Sequence, residues 1–261
     1  SASGAQVIDG SLKFYGPKTA LEKTFSSAGN RTSWTWSCWV KRDSIGATAQ
    51  VIFGGYGAQT NDGWLEIGIN NDVAWFTTSG ISATGTASRR DPGGWYHFFS
   101  TYDGSTLKIY INNNLDLSHS FTGNRGININ NRHRIGQTPI NVIDRPLSGR
   151  LSQCYFIDGQ ILTPESFGYT DGLTNTWRPK KYTGTFTGTN TFYLPMDGNS
   201  PIGEDKSGNG NNWTPVNFGG SVSLDNSIVS GARPILNTNG GGTVARPGVF
   251  GSEVGAYYAV T

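Results

Sequence analysis

Five glutamates, Glu22, Glu66, Glu165, Glu204 and Glu253, are the residues a glycosidase would have to pair with a second carboxylate. On a strand such a pair reads E-x-D-x-x-E, because alternate positions reach one side of the sheet. None of the five begins that pattern. Asp62 and Glu66 share one short stretch, but Gly63 and Trp64 between them read as a turn. His97, His119 and His133 could each serve a Ser-His-Asp triad, yet no G-x-S-x-G elbow accompanies them. His97 lies in an apolar run and is expected to be a packed core histidine. No Cys/His spacing fits zinc. The chain is therefore expected not to be an enzyme.

Two binding chemistries remain. A hard cation such as calcium needs several oxygens held by turns, and Asp197, Asn199, Asp205, Ser207, Asn209 and Asn211 supply them within one Gly-rich stretch. The same residue types are what turns themselves require. A sugar ring stacks on Trp or Tyr while Asn, Asp and Arg hold its hydroxyls. Tyr56, Asn61, Asp62, Trp64 and Arg89 fall in or beside loops and form the candidate glycan set. Trp34, Trp36, Trp39, Trp75 and Trp95 fall in or beside strand-like runs and are expected in the core.

The elements that must position these residues are short. Glycine is abundant at 37 residues and charged residues make up only 15% of the 261, which disfavours long helices. An aromatic content of 12% argues against disorder. The formal net charge of +2 does not call for nucleic acid. The clusters Arg132-His133-Arg134 and Arg178-Pro179-Lys180-Lys181 read as solvated loops. No apolar run is long enough to span a bilayer. Cys38 and Cys154 both sit in apolar runs, where free thiols behave as small hydrophobes. A disulfide between them needs their strands to be neighbours.

From Gly94 to Asn114, two aromatic-rich runs flank Asp103-Gly104-Ser105, a hairpin signal. Leu107, Ile109 and Ile111 alternate with polar residues, whereas Trp95 to Tyr102 is apolar on both faces and belongs inside a sheet. Further strands are expected at Ser11–Tyr15, Ser33–Lys41, Gln50–Gly54, Gly63–Asn70, Asp72–Thr78, Arg132–Gly136 and Gly149–Asp158. In the second of these, Trp34, Trp36, Cys38 and Val40 share one face and Thr35, Ser37, Trp39 and Lys41 the other. Thr163 and Pro164 open a single helical turn.

In order, SWTWSCWVKR, GGWYHFFSTYDGSTLKIYINN, HRIGQ and GRLSQCYFIDGQILTPESFG resemble the laminin-G and pentraxin-like, concanavalin-type jelly roll. The resemblance covers about residues 8–170. It implies an all-β fold, a two-sheet antiparallel sandwich with binding loops at one rim. After Gln137 only Asp144 is acidic, a departure from the calcium loop of pentraxins. The domain reading is a jelly roll with a short N-terminal arm over 1–170. Residues 171–261 follow as a Gly/Asn-rich extension that adds a strand at about 191–197 and ends in an extended arm. The arm's scattered apolar residues are too few to order it alone and suggest that it lies along neighbouring subunits.

From about Leu151 to Asn237 the chain also resembles structural proteins of tailed phages of marine bacteria. That resemblance implies a non-enzymatic virion surface protein, a capsid decoration or tail-appendage subunit assembled in the host cytoplasm. Its partners would be other virion proteins, copies of itself and host-surface polysaccharide, without nucleic acid or membrane insertion. The alternative is a secreted lectin-like module or glycosidase accessory domain.

Overall fold

The computed structural model describes residues 5–16, 19–57, 63–140 and 144–218. The strands are β1 (Leu12–Tyr15), β2 (Ala20–Thr24), β3 (Trp34–Arg42), β4 (Gln50–Gly55), β5 (Leu65–Asn70), β6 (Val73–Thr78), β7 (Ile81–Thr84), β8 (Tyr96–Tyr102) and β9 (Thr106–Ile111). They continue as β10 (Asn114–Ser120), β11 (Arg132–Ile135), β12 (Ser148–Asp158), β13 (Gly168–Asp171), β14 (Thr176–Pro179), β15 (Phe192–Leu194) and β16 (Thr214–Val216). Two antiparallel sheets make the all-β jelly roll. The first runs β1-β12-β3-β8-β9-β10, with β15 beside β1 on the free edge of β12. The second runs β16-β2-β11-β4-β5-β6-β7, and β13-β14 form a separate hairpin.

Alternation decides what each sheet buries. Trp34, Trp36, Cys38 and Val40 of β3 point between the sheets and join Phe53, Ile67, Phe76, Phe98, Leu151 and Phe156 in the main core. Trp36 stacks on Phe53 across the two sheets at 4.3 Å and 4°. Burying a side chain of this kind is worth about 1.5–3 kcal/mol. β8 lies between β3 and β9, which is why its sequence is apolar on both faces. Its outward side, with the outward sides of β3 and β12, would otherwise face water. Instead Phe99, Tyr155 and Ile157 are covered by Phe167 and Tyr182, a second small core built by the chain after β12.

The rest of the chain is stitched onto this frame. The edges at β7, β10, β13, β14 and β16, and the inner strand β2, lack strong alternation, and sequence reading misses them. Phe192–Leu194 pairs with Cys154–Phe156, and Thr214–Val216 pairs with Ala20–Glu22. A 3-10 turn forms at Pro164–Ser166, although the Thr163 side chain makes no capping hydrogen bond. The cluster Arg132-His133-Arg134 is the strand β11, not a loop, and His133 is fully buried. Cys38 and Cys154 are free and buried. The expected C-terminal arm lies outside the described residues.

Candidate functional site

The N-terminal arm crosses the outer side of the first sheet. Gln6 N–H donates to the carbonyl of Pro179, and Ser152 Oγ–H donates to that of Gly10. Between this arm and β14 lies an open groove of roughly 610 Å³. Its aromatic lining is Trp39, Trp95 and Trp177, and its polar lining includes Asp9, Ser11, Thr176 and Arg178. Trp39 is buried at 6% exposure, as sequence reading expects, but on the outward side of β3 rather than in the main cluster, whereas Trp95 leads into β8 half-buried. Trp177 comes from the β14 side of the hairpin and carried no functional signal in the sequence. Arg178, read as part of a solvated basic loop, is a lining residue.

The indoles are held, not merely adjacent. His97 is opposite Trp39 in the β3–β8 register, and their rings lie 5.2 Å apart at 23°. Trp177 Nε1–H donates to Nδ1 of His97 at 2.9 Å, with the two rings 22° from parallel. Because Nδ1 accepts, Nε2 carries the proton and donates to Ser37 Oγ at 2.8 Å. His97 is wholly buried, and burial pushes its pKa down to about 3, so it stays the neutral acceptor Trp177 needs. On its other side Trp177 lies against Gly168, where an added Cβ would meet its Cε2 and Cζ2 at 2.4 Å. A side chain larger than glycine there would force the indole to shift. Arg178 Nε faces the Asp171 carboxylate at 3.4 Å.

The candidate glycan set from the sequence is not brought together. Tyr56 and Trp64 flank the β4–β5 connection, while Arg89 N–H donates to the carbonyl of Asp72 at the β5–β6 turn. One six-residue strand, about 17 Å, separates those two ends. Arg89 pairs instead with the buried carboxylate of Asp116 at 3.3 Å. Tyr56 carries Arg132 over its ring and Trp64 carries Arg145, each at 5.9 Å. Arg145 also pairs with both oxygens of Glu66 at 3.2 Å, and Thr138 Oγ1–H donates to Glu66 at 2.8 Å. Burial holds the Glu66 carboxyl above its ordinary pKa against those partners. Asn61 and Asp62 lie outside the described residues.

The candidate calcium set divides as well. Asp197 Oδ1 accepts from Asn199 N–H at 3.0 Å in its own turn. Asp205 sits deeper and has four donors. Its Oδ1 accepts from the N–H groups of Tyr193 and Ser207, and its Oδ2 from Ser207 Oγ–H and Asn211 N–H, all at 2.8–2.9 Å. That uses the four lone-pair directions a carboxylate has. Asn209 and Asn211 turn their Nδ2 groups toward the carbonyls of Gly188, Thr189 and Thr191. Both oxygens of Asp205 are thus engaged by N–H and O–H donors, and Asp197 stands apart in its own turn, so the printed bonds give these residues a turn-forming role. The loop is a latch that ties residues 188–212 to β15.

A family model described as the Concanavalin A-like lectin/glucanases superfamily matches residues 19–166. No curated protein matches the chain. Among solved structures it is similar to the heptameric SAP-like pentraxin of Limulus polyphemus at 16% identity and a TM-score of 0.49, over 74% of this chain and 99% of that one. It is similar to mouse laminin alpha1 domains LG4-5 at 11% identity and a TM-score of 0.45, over 70% of this chain and 50% of that one. A third is domain 4 of the extracellular arabinanase AbnA of Geobacillus stearothermophilus, solved in complex with arabinotriose. There the identity is 22% and the TM-score 0.41, over 52% of this chain and 65% of that one. The chain thus spans just under two thirds of that domain's length.

Proposed function

The chain belongs to the concanavalin A-like lectin/glucanase superfamily, and we propose that it is a non-enzymatic saccharide-binding module whose site is the groove of Trp39, Trp95 and Trp177. The observation that carries this is the anchoring of Trp177, in close contact with Gly168 and bonded to His97, in a groove with two further indoles. Sugar rings present a C–H face that stacks on such surfaces, and Asp9, Ser11, Thr176 and Arg178 offer hydroxyl partners around it. The lining contains a single carboxylate, that of Asp9, whereas glycoside hydrolysis works with two across the bond. Binding, not cleavage, is what this lining supports.

The test is isothermal titration of the full chain with soluble polysaccharides, beginning with mixed-linkage β-glucan. Saturable binding that Trp177→Ala abolishes, with the circular dichroism spectrum unchanged, is expected. A variant that binds as well as the parent would place the site elsewhere.

A second reading concerns where the module works. The resemblance of Leu151 to Asn237 to phage structural proteins supports a virion surface subunit, a decoration or tail appendage, that contacts host-surface polysaccharide. Most of β12, with β15 and β16, falls in that stretch, so a virion protein would carry this jelly roll as part of its own fold. Co-sedimentation with intact particles supports this placement. Saturable glycan binding by a chain that never co-sediments supports a secreted lectin-like module instead.

A further inference from the structure

The outer side of the first sheet continues past the tryptophan groove. Lys13 pairs with Arg150 across β1 and β12, and Arg150 pairs with Lys41 across β12 and β3. Residues directly opposite in an antiparallel ladder point to the same side. Their neighbours Phe14, Leu151 and Val40 belong to the main core, so all three cations face outward.

The row abuts the groove. Trp39 and Lys41 stand two residues apart on β3, and Ser11 and Lys13 two apart along the chain, about 7 Å in each case. Beyond the row lies Tyr15, 67% exposed, with its ring centroid 5.5 Å from Lys13 Nζ. The positive charge of the row is under-compensated. Asp43 pairs with Lys13 and, at 3.6 Å, with Arg150. Lys41 has no ion-pair partner among the described residues. One carboxylate thus serves three cations, and the Arg150 side chain is 42% exposed to solvent. Like charges directly opposite on neighbouring strands destabilise a sheet. The free protein therefore holds a repulsion that an anion would relieve.

We propose that the row Lys13, Arg150 and Lys41 extends the tryptophan groove into a site for an acidic polysaccharide, one that carries uronate carboxylates or sulfate esters. This rests on the groove being the saccharide site. Sugar rings stack on the groove indoles and on Tyr15, while their anionic substituents meet the row between. The Arg150 guanidinium offers such a group two parallel donors, and the two ammonium groups act as point charges. This part of the affinity is electrostatic and weakens with salt. A nucleic acid fits less well. The cations cover only about 10 Å across three strands, and Asp9 in the adjoining groove repels phosphate.

The test titrates the full chain calorimetrically with polygalacturonate, dextran sulfate and neutral mixed-linkage β-glucan, each at low and at physiological salt. At least one acidic polymer is expected to bind about tenfold more tightly than β-glucan, with the advantage shrinking as salt rises. Which of the two it is tells carboxylate from sulfate. Lys41→Gln leaves no carboxylate unpaired and should weaken that binding about three- to fivefold, with the circular dichroism spectrum unchanged. Arg150→Gln should add to the loss. β-Glucan bound as tightly as both acidic polymers, or an acidic affinity indifferent to salt and to both substitutions, overturns this proposal and leaves the groove reading standing. Acidic binding that Trp177→Ala does not weaken overturns the groove reading and the joint site with it, as does a chain that binds no polysaccharide. Single-stranded DNA bound as tightly as the acidic polymer overturns the saccharide assignment in favour of nucleic acid.

Discussion

Trp177 on the β14 hairpin and His97 on the central strand β8 are joined by one hydrogen bond of 2.9 Å, although 80 residues separate them. The bond couples a rim indole to the interior, because His97 passes its own proton donor on to Ser37. His97→Leu should therefore leave the indole N–H without an acceptor, at a cost of about 1–3 kcal/mol. Glycan affinity should fall in parallel, while His97→Gln, whose carbonyl can accept, should recover part of both. Indole N–H exchange by NMR reads the bond directly. A Trp177 N–H that exchanges as fast in the parent as in the leucine variant contradicts this.

Gly168→Ala tests the other side of the same indole. The new methyl must displace Trp177, since the contact would be 2.4 Å. Saccharide affinity is expected to drop about tenfold, roughly 1.4 kcal/mol, with a shift in tryptophan emission. An unchanged emission spectrum together with full affinity would show that the indole has room to lie elsewhere.

Two buried histidines set a pH dependence. Burial lowers the pKa of His97 to about 3 and that of His133 to about 4, against 6.5 unfolded. His133 is neutral for a reason of its own: Nε2 accepts from Asn128 N–H while Nδ1 donates to the carbonyl of Asn131, each at 2.9 Å. The unfolded chain therefore takes up protons first as pH falls. Stability should be full above about pH 6.5 and decline toward pH 4 by up to about 1.4 kcal/mol per unit for each histidine. Glu66, held above its ordinary value by burial, titrates in the opposite sense at the acid end. Urea midpoints at several pH values between 7 and 4.5 measure the slope. A flat profile would contradict the neutral, buried assignment.

Asp205→Ala removes the centre of the latch. Four donors lose their acceptor at once, two of them the N–H groups of Tyr193 and Asn211. A loss of about 2–3 kcal/mol is expected from a charged acceptor of this kind. The loss should be the same in calcium and in chelator. A calcium-dependent melting temperature in the parent that vanishes in the variant would restore the cation reading.

What could be read from the chain alone was whatever depends on alternation and on turn residues. Trp34, Trp36, Cys38 and Val40 announce one face of β3, and Asp103-Gly104-Ser105 announces a hairpin, because side-chain period and turn conformation are local properties. β10, β13, β14 and β16 were illegible for the converse reason. Their pairing is decided by neighbours such as β9 and β2, and their own residues show no strong period.

Residue types alone determined that two sheets form, that a large aromatic core fills them and that no paired carboxylates lie on a strand. Tertiary structure decided which buried tryptophans fill the space between the sheets and which lie on the outer side. Trp36 and Trp39 stand three residues apart on one strand, and only the segments laid over the outer side, residues 8–11 and 176–179, turn the second into the wall of a groove. The same holds for Cys154, whose inward direction depends on a single extra residue in the β12 register. Which chain segment covers a sheet face, and where a ladder slips by one, are set by the sum of distant contacts. No local pattern encodes that sum.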